Sequence, residues 1–171
     1  MAEPVSRPSF TIRRAEDRDI EPFVDLLYDV ADEGLWIATE TPFDRAARAA
    51  RIRASAPLMV RLVAVDEHNA IIGEAGTWFD GDDRTRATLG MCVAKAWRGH
   101  GVGRALLSRM IDELKAAGVR HLDLCVFQHN ERAIALYNSF GFTKTGSSEL
   151  VRKDGSRFAT FEMELALDVR A

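Results

Sequence analysis

The sequence predicts an α+β fold, a mixed central sheet flanked by helices, and three observations point to it. Leu89 to Ser108 passes from a short apolar segment through Trp97-Arg98-Gly99-His100-Gly101-Val102-Gly103 into a helical rhythm, the pattern of a strand, a glycine-rich loop and a helix N-terminus. Upstream, β-rich runs are separated by short polar turns, as in an antiparallel meander. Downstream, the strand–helix–strand order across Leu89 to Phe127 implies one parallel pair within that otherwise antiparallel sheet.

Size and composition bound the reading. The 171 residues, 47% of them apolar, suffice for one domain with a sizeable core, expected over residues 9–167. A net charge of −3 supplies no basic field for nucleic acid, so no such partner is expected. No run approaches the ~18 apolar residues of a membrane span. The N-terminal MAEPVSRPSF also lacks a basic segment followed by an apolar core, so a cytoplasmic protein without a membrane partner is expected. Cys92 and Cys125 sit in apolar runs without CxxC spacing, and the histidines are scattered; buried reduced thiols and no metal site follow.

Taken in order, Phe10 to Arg13 alternates as a first strand. Phe23, Leu26, Leu27 and Val30 recur at helical spacing over Ile20 to Val30, with Asp19 as the expected cap. Glu33-Gly34-Leu35-Trp36-Ile37-Ala38 reads as an inter-helix loop that either covers a sheet edge or walls an acceptor pocket. A second helix, rich in Arg and Ala, runs from Asp44 to Arg53 and ends before Pro57. Strands follow over Leu58 to Val65, Ile71 to Phe79 and Thr85 to Val93, joined by the turns Asp66 to Asn69 and Gly81 to Asp83. Val102, Leu106, Leu107, Met110, Ile111 and Leu114 mark one face of a third helix that stops at Gly118. His121 to Phe127 is the next strand, and Asn130 caps a fourth helix ending at Phe140-Gly141-Phe142. Asp154-Gly155 then joins two last strands, Thr143 to Arg152 and Arg157 to Leu167. The tip, Arg152 to Arg157, is expected as a solvated turn, with contact to a second subunit of a homodimer or to the acceptor as the alternative.

The glycine loop predicts a phosphate-bearing ligand. Glycines admit close approach, and the open N–H groups and positive dipole end of a helix N-terminus stabilise an anion. A nucleoside-triphosphate loop needs Lys-Ser/Thr after its glycines, whereas Gly103 is followed by Arg104-Ala105. The dinucleotide spacing GxGxxG also fails, since the run is Gly99-His100-Gly101-Val102-Gly103.

Arg98-Gly99-His100-Gly101-Val102-Gly103 resembles the Gln/Arg-x-x-Gly-x-Gly/Ala signature of the GCN5-related N-acetyltransferases, and Asn130 to Phe142 is similar to that family's later segment. The resemblance covers roughly residues 9 to 167 and implies acetyl-coenzyme A as cosubstrate, its diphosphate against the main chain of Arg98, Gly99, His100, Gly101, Val102 and Gly103. Arg98 either adds charge there or is a solvated surface arginine. Further implications are that strands four and five splay to admit the pantetheine arm, that Cys92 and Val93 offer backbone N–H groups to it and to the thioester, and that Asn130 contacts it while capping its helix.

Acetyl transfer to an amine requires a base for the ammonium and an acid for the departing thiolate. The resemblance assigns the acid to Tyr137, on the helix face it shares with Ala133. Cys92 is expected to act through its backbone rather than as a nucleophile, because no activating base stands near it in sequence. The base is open: the family often uses an acid on strand four or a water chain, but strand four has no carboxylate from Thr85 to Val93; the candidates are Glu74, which otherwise occupies a solvent-facing strand position, Glu33, equally suited to holding a cationic acceptor, and Asp123. Leu35, Trp36 and Ile37 suggest a small-molecule amine on a partly apolar body, such as an amino-acid analogue, a polyamine-like metabolite or an antibiotic. A peptide N-terminus or lysine is the alternative acceptor. A non-catalytic acyl-coenzyme A sensor would use the same loop and leave Tyr137 dispensable.

Overall fold

The computed structural model describes residues 9–55 and 60–168. Its strands are β1 (Phe10–Arg14), β2 (Arg61–Asp66), β3 (Ile71–Asp80), β4 (Asp83–Val93), β5 (His121–Phe127), β6 (Thr143–Val151) and β7 (Arg157–Ala166). The helices are α1 (Ile20–Asp32), α2 (Arg45–Ser55), α3 (Val102–Ala116) and α4 (Glu131–Ser139). Pro57, and Leu58 and Met59 of the expected second strand, lie outside the described residues. β4 begins at Asp83, two residues before the expected Thr85, because a two-residue turn with Gly81 at φ 58° already lets Asp83 pair with Asp80.

All strands form one seven-stranded sheet in the order β1-β2-β3-β4-β5-β7-β6. Every pairing is antiparallel except β4 with β5, which run parallel. That pairing covers only Arg86 to Thr88 against His121 to Asp123, after which the two strands part for the rest of their length. Parting strands leave a wedge in mid-sheet whose facing main-chain groups have no ladder partner.

The two faces of the sheet carry different cores. Leu106, Leu107, Met110 and Leu114 of α3 are fully buried against Leu62, Ala75 and Leu122. Truncating one of those leucines to alanine costs about 2–5 kcal/mol in such settings. On the other face, Phe23, Val24 and Val30 of α1 pack with Ala49 of α2 and with Cys92. The expected cap of α1 is corrected: Asp19 makes no side-chain cap bond. Its carboxylate is occupied by the Arg13 guanidinium, at 2.6 and 2.8 Å, and by the N–H of Glu16, at 2.7 Å.

The last hairpin also departs from expectation. Asp154 closes the turn by accepting from Ser156, but the tip is not simply solvated. Arg152 donates to the carbonyls of Gly34 (2.8 Å) and Ile37 (3.2 Å), and the N–H of Lys153 donates to Glu40 (3.1 Å). The contact is therefore with the inter-helix loop of the same chain. Both bonds are charge-assisted, which makes them stronger than neutral ones, while Arg152 Nε is buried without a hydrogen-bond partner.

Candidate active site

The wedge opens into a cleft of about 1220 Å³ that runs between α1, α2 and the inter-helix loop on one side and the glycine loop and α4 on the other. Its two ends are built by different means.

One end is made of main chain. Arg98 leaves a short 3-10 turn (Lys95–Trp97), and the chain then takes φ values of 84° at Gly99 and 90° at Gly101, a region costly for residues with a Cβ. Gly101 is the N-cap of α3, and Ala105 is the first residue whose N–H returns to it, at 3.0 Å. The N–H groups of Val102, Gly103 and Arg104 thus have no acceptor inside the helix. Gly99, Gly101, Gly103 and Arg104 line the cleft. His100 and Val102 do not: His100 is exposed, its N–H on the carbonyl of Trp97 at 3.4 Å, and the Val102 side chain belongs to the core. A diphosphate fits the open donors of this turn by charge and by dipole.

Arg98 is neither solvated nor free. Its Nε donates to the carbonyl of Val93 (3.0 Å), and its two terminal nitrogens grip Glu33 at 2.8 and 2.6 Å. The arginine of the glycine loop therefore ties that loop to the inter-helix loop.

At the wedge, the ladder corrects the role expected of Cys92. The N–H of Ala94 donates to Ile72 on β3 (2.9 Å), and main-chain direction alternates along a strand. Cys92, two residues earlier and opposite Glu74, likewise turns its N–H to β3. Met91 and Val93 turn theirs towards β5, from which β4 has diverged. Val93 keeps its expected orientation, and Met91 joins it. The Cys92 thiol is buried, and burial followed by the charge of Glu74 pushes its pKa up, so it stays protonated. Such a thiol is a poor nucleophile.

The other end is made of side chains. Cross-strand register stacks three pairs on one face of β3 and β4: Glu74 with Cys92, Gly76 with Gly90, and Trp78 with Thr88. The glycine pair floors a groove. A Cβ at Gly76 would stand 2.7 Å from a Glu74 oxygen, and one at Gly90 would stand 3.1 Å from the Trp78 ring. Isolated glycines within β-rich runs signal such close approach and make the floor readable in sequence.

Glu74 is 4% exposed and shares a hydrogen-bonded ion pair with Arg61, which stacks over Phe23. Burial pushes its carboxyl up to about 7, outweighing the opposing pull of Arg61. Sequence alone gave no sign of Arg61. Glu33 differs on every count: it does not line the cleft, and bonds from Arg98 and then Trp36 Nε1 (2.8 Å) hold its carboxyl below the usual range. Asp123 is likewise outside the cleft, held by Arg86 at 2.6 and 2.7 Å. Of the three candidate bases, Glu74 alone faces the cleft with a raised pKa.

Tyr137 reaches the cleft from α4, packed on Phe142 with ring centroids 5.5 Å apart. Burial alone pushes its pKa up, so its phenol keeps the proton at neutral pH. Asn130 caps α4 through Oδ1, which accepts from the N–H of Ala133 at 3.2 Å, and it also lines the cleft. The inter-helix loop contributes Trp36, Ile37, Ala38 and Thr39 as a wall. Besides Arg98 and Arg152, His129 Nε2 fixes it by contacting the carbonyl of Leu35 at 2.6 Å.

The acetyltransferase (GNAT) family model matches residues 22–142. The L-methionine sulfoximine/L-methionine sulfone acetyltransferase of Salmonella typhimurium is 30% identical over 167 residues, spanning 94% of this chain and 96% of that protein. The Salmonella typhimurium yncA structure, solved with acetyl-CoA, superposes with a TM-score of 0.82 at 29% identity, covering 95% of this chain and 96% of its own. A phosphinothricin acetyltransferase from Sinorhizobium meliloti in complex with acetyl-CoA gives 0.83 at 25% identity, covering 92% and 88%.

Proposed function

From the premise that this chain belongs to the acetyltransferase (GNAT) family and takes acetyl-CoA as its acetyl donor, we propose that the acceptor is a small-molecule primary amine acetylated by direct attack in a ternary complex. The observation that carries this reading is the juxtaposition of a buried carboxyl, Glu74, with a glycine floor at the mouth of the wedge.

Bound acetyl-CoA supplies an activated carbonyl; the chain supplies proton management and charge. Glu74, near half-ionised at neutral pH, takes the proton that the ammonium must lose before its nitrogen can attack. Arg61 holds that carboxyl in place. As the C–N bond forms and the C–S bond breaks, the Val93 N–H opposes the negative charge developing on the carbonyl oxygen. Tyr137 gives its proton to the departing thiolate, and the second proton that the nitrogen sheds as the amide forms restores the phenol. The open N–H groups at the start of α3 anchor the donor.

A small acceptor is favoured over a peptide by the clasped inter-helix loop, which Arg98, His129 and Arg152 fix as a pocket wall. It also accords with the amino-acid-like compound named for the Salmonella relative, which is matched along nearly its whole length.

The test incubates purified protein with acetyl-CoA and separate pools of small amines and peptides, following free coenzyme A and acetylated product mass together. Transfer to a small amine is expected. Transfer to peptides alone, or donor binding with no product from any pool, overturns the reading.

A further inference from the structure

The groove that receives the amine is bordered by more positive charge than an ammonium would seek. Helix α2 carries Arg45, Arg48, Arg51 and Arg53, and they divide into two sets. Arg45 bonds Asp25 at 2.7 Å, and Arg53 bonds Asp17 and Glu21 at 2.8 and 2.6 Å, so both are neutralised by acids outside the cleft. Arg48 and Arg51, one helical turn apart on the same face, line the cleft instead, and among the described residues neither has a carboxylate within 4.0 Å.

Arg48 is the more telling of the two. Its Nε is buried without a hydrogen-bond partner, while its guanidinium stands 4.8 Å from the Phe43 ring centroid. A buried polar atom left unpaired destabilises a fold unless something completes it. Burial, and then the neighbouring charge of Arg51, also lowers its pKa, which an approaching anion would reverse. The other cleft arginines facing this groove, Arg61 and Arg98, are each spent on a carboxylate of the protein.

We propose that Arg48, assisted by Arg51, binds an anionic group of the acceptor, so that the substrate class is an aminocarboxylate whose amine lies at Glu74 and whose carboxylate lies on α2. This deepens the small-amine reading above and rests on it. It also removes polyamine-like acceptors, which would place a second cation against two arginines. The apolar wall of Trp36 and Ile37 is left for the side chain between or beside those groups.

The experiment uses matched triplets in which only the carboxylate changes: an α-amino acid, its amide and its decarboxylated amine, for leucine, methionine and phenylalanine. Each is assayed with saturating acetyl-CoA in wild type, Arg48→Gln and Arg48→Lys. Wild type is expected to prefer the acid in its best triplet. The amide has the less basic amine, so basicity cannot create that preference. Arg48→Gln raises KM for the acid roughly ten- to hundredfold, as for a lost hydrogen bond to a charged group, and leaves KM for the decarboxylated amine and the acetyl-CoA Kd unchanged. Arg48→Lys recovers part of the loss.

Equal turnover of the three members of every triplet overturns the inference and spares the small-amine reading. So does an Arg48→Gln loss that falls equally on acid and amine. Transfer to peptides with none to any triplet member overturns both.

Discussion

The donor end and the acceptor end of the cleft perform comparable tasks by opposite means. The donor end offers peptide N–H groups whose direction is set by the φ values of Gly99 and Gly101 and by the start of α3. His100 and Val102, though part of that loop, do not line the cleft. At the acceptor end the backbone withdraws to a glycine floor, and the residues proposed to meet the acceptor, Glu74, Arg48 and Trp36, are side chains drawn from separate elements. Main-chain recognition is rigid and tolerant of sequence; side-chain recognition is adjustable, one residue at a time. A scaffold built this way keeps one donor while its acceptor changes.

That contrast can be broken most sharply at Glu74. Replacing Glu74 by Gln is expected to lower kcat by about 10²- to 10⁴-fold, the range for losing a general base, with little change in acetyl-CoA Kd. In wild type, kcat/KM should fall as pH drops through about 7, because Glu74 is then protonated and cannot accept the ammonium proton. A pH–rate series that keeps the same acid limb in Glu74→Gln would assign the limb to another group.

Next in size is Tyr137→Phe, which preserves the ring packing on Phe142 and removes the proton donor. Turnover should drop roughly 10²-fold while donor binding, measured by calorimetry, stays put. Because burial moves the phenol above its ordinary range, wild type should show no alkaline loss at the pH of a free tyrosine. An unchanged kcat in Tyr137→Phe removes the acid from the mechanism.

A donor-end change should read out differently. Gly101→Ala forces a Cβ into a conformation about 1–2 kcal/mol less favourable, so acetyl-CoA KM is expected to rise several-fold with acceptor KM unaltered. If acceptor KM moves instead, the two ends are not separable as described.

The smallest effect probes the tie between them. Arg98 bonds Glu33 across the two loops, with both side chains about a fifth exposed, at 20% and 22%. A double-mutant cycle of Arg98→Gln and Glu33→Gln, read on acceptor KM, should give a coupling of about 1 kcal/mol, within the usual span for contacting residues. Additive effects would mean that Arg98 acts on the donor alone.

What the sequence shows ahead of the fold follows the same division. The strands, the four helices and the parallel pair are visible because hydrophobic period and turn chemistry are local properties. Asp19 shows the limit: its identity suits a helix cap, but Arg13, six residues back, claims its carboxylate. The reading of Cys92 failed for a related reason, since which way an N–H points depends on the register with β3. Glu33 and Glu74 are indistinguishable as letters in a chain. They separate only when folding buries one beside the wedge and gives the other to Arg98 and Trp36.

By itself, the sequence determined the glycine loop and helix start whose open N–H groups suit a phosphate-bearing ligand, and its resemblance to a family pointed to acetyl-CoA as that ligand. That turn is built from consecutive residues, and the backbone geometry that glycine permits needs no distant partner. Only the tertiary structure decided the chemistry opposite: which carboxyl is desolvated, which arginine is left without an acid, and which hairpin clamps the acceptor wall. Burial and charge pairing are sums over residues from many parts of the chain, so they exist only once those parts have met.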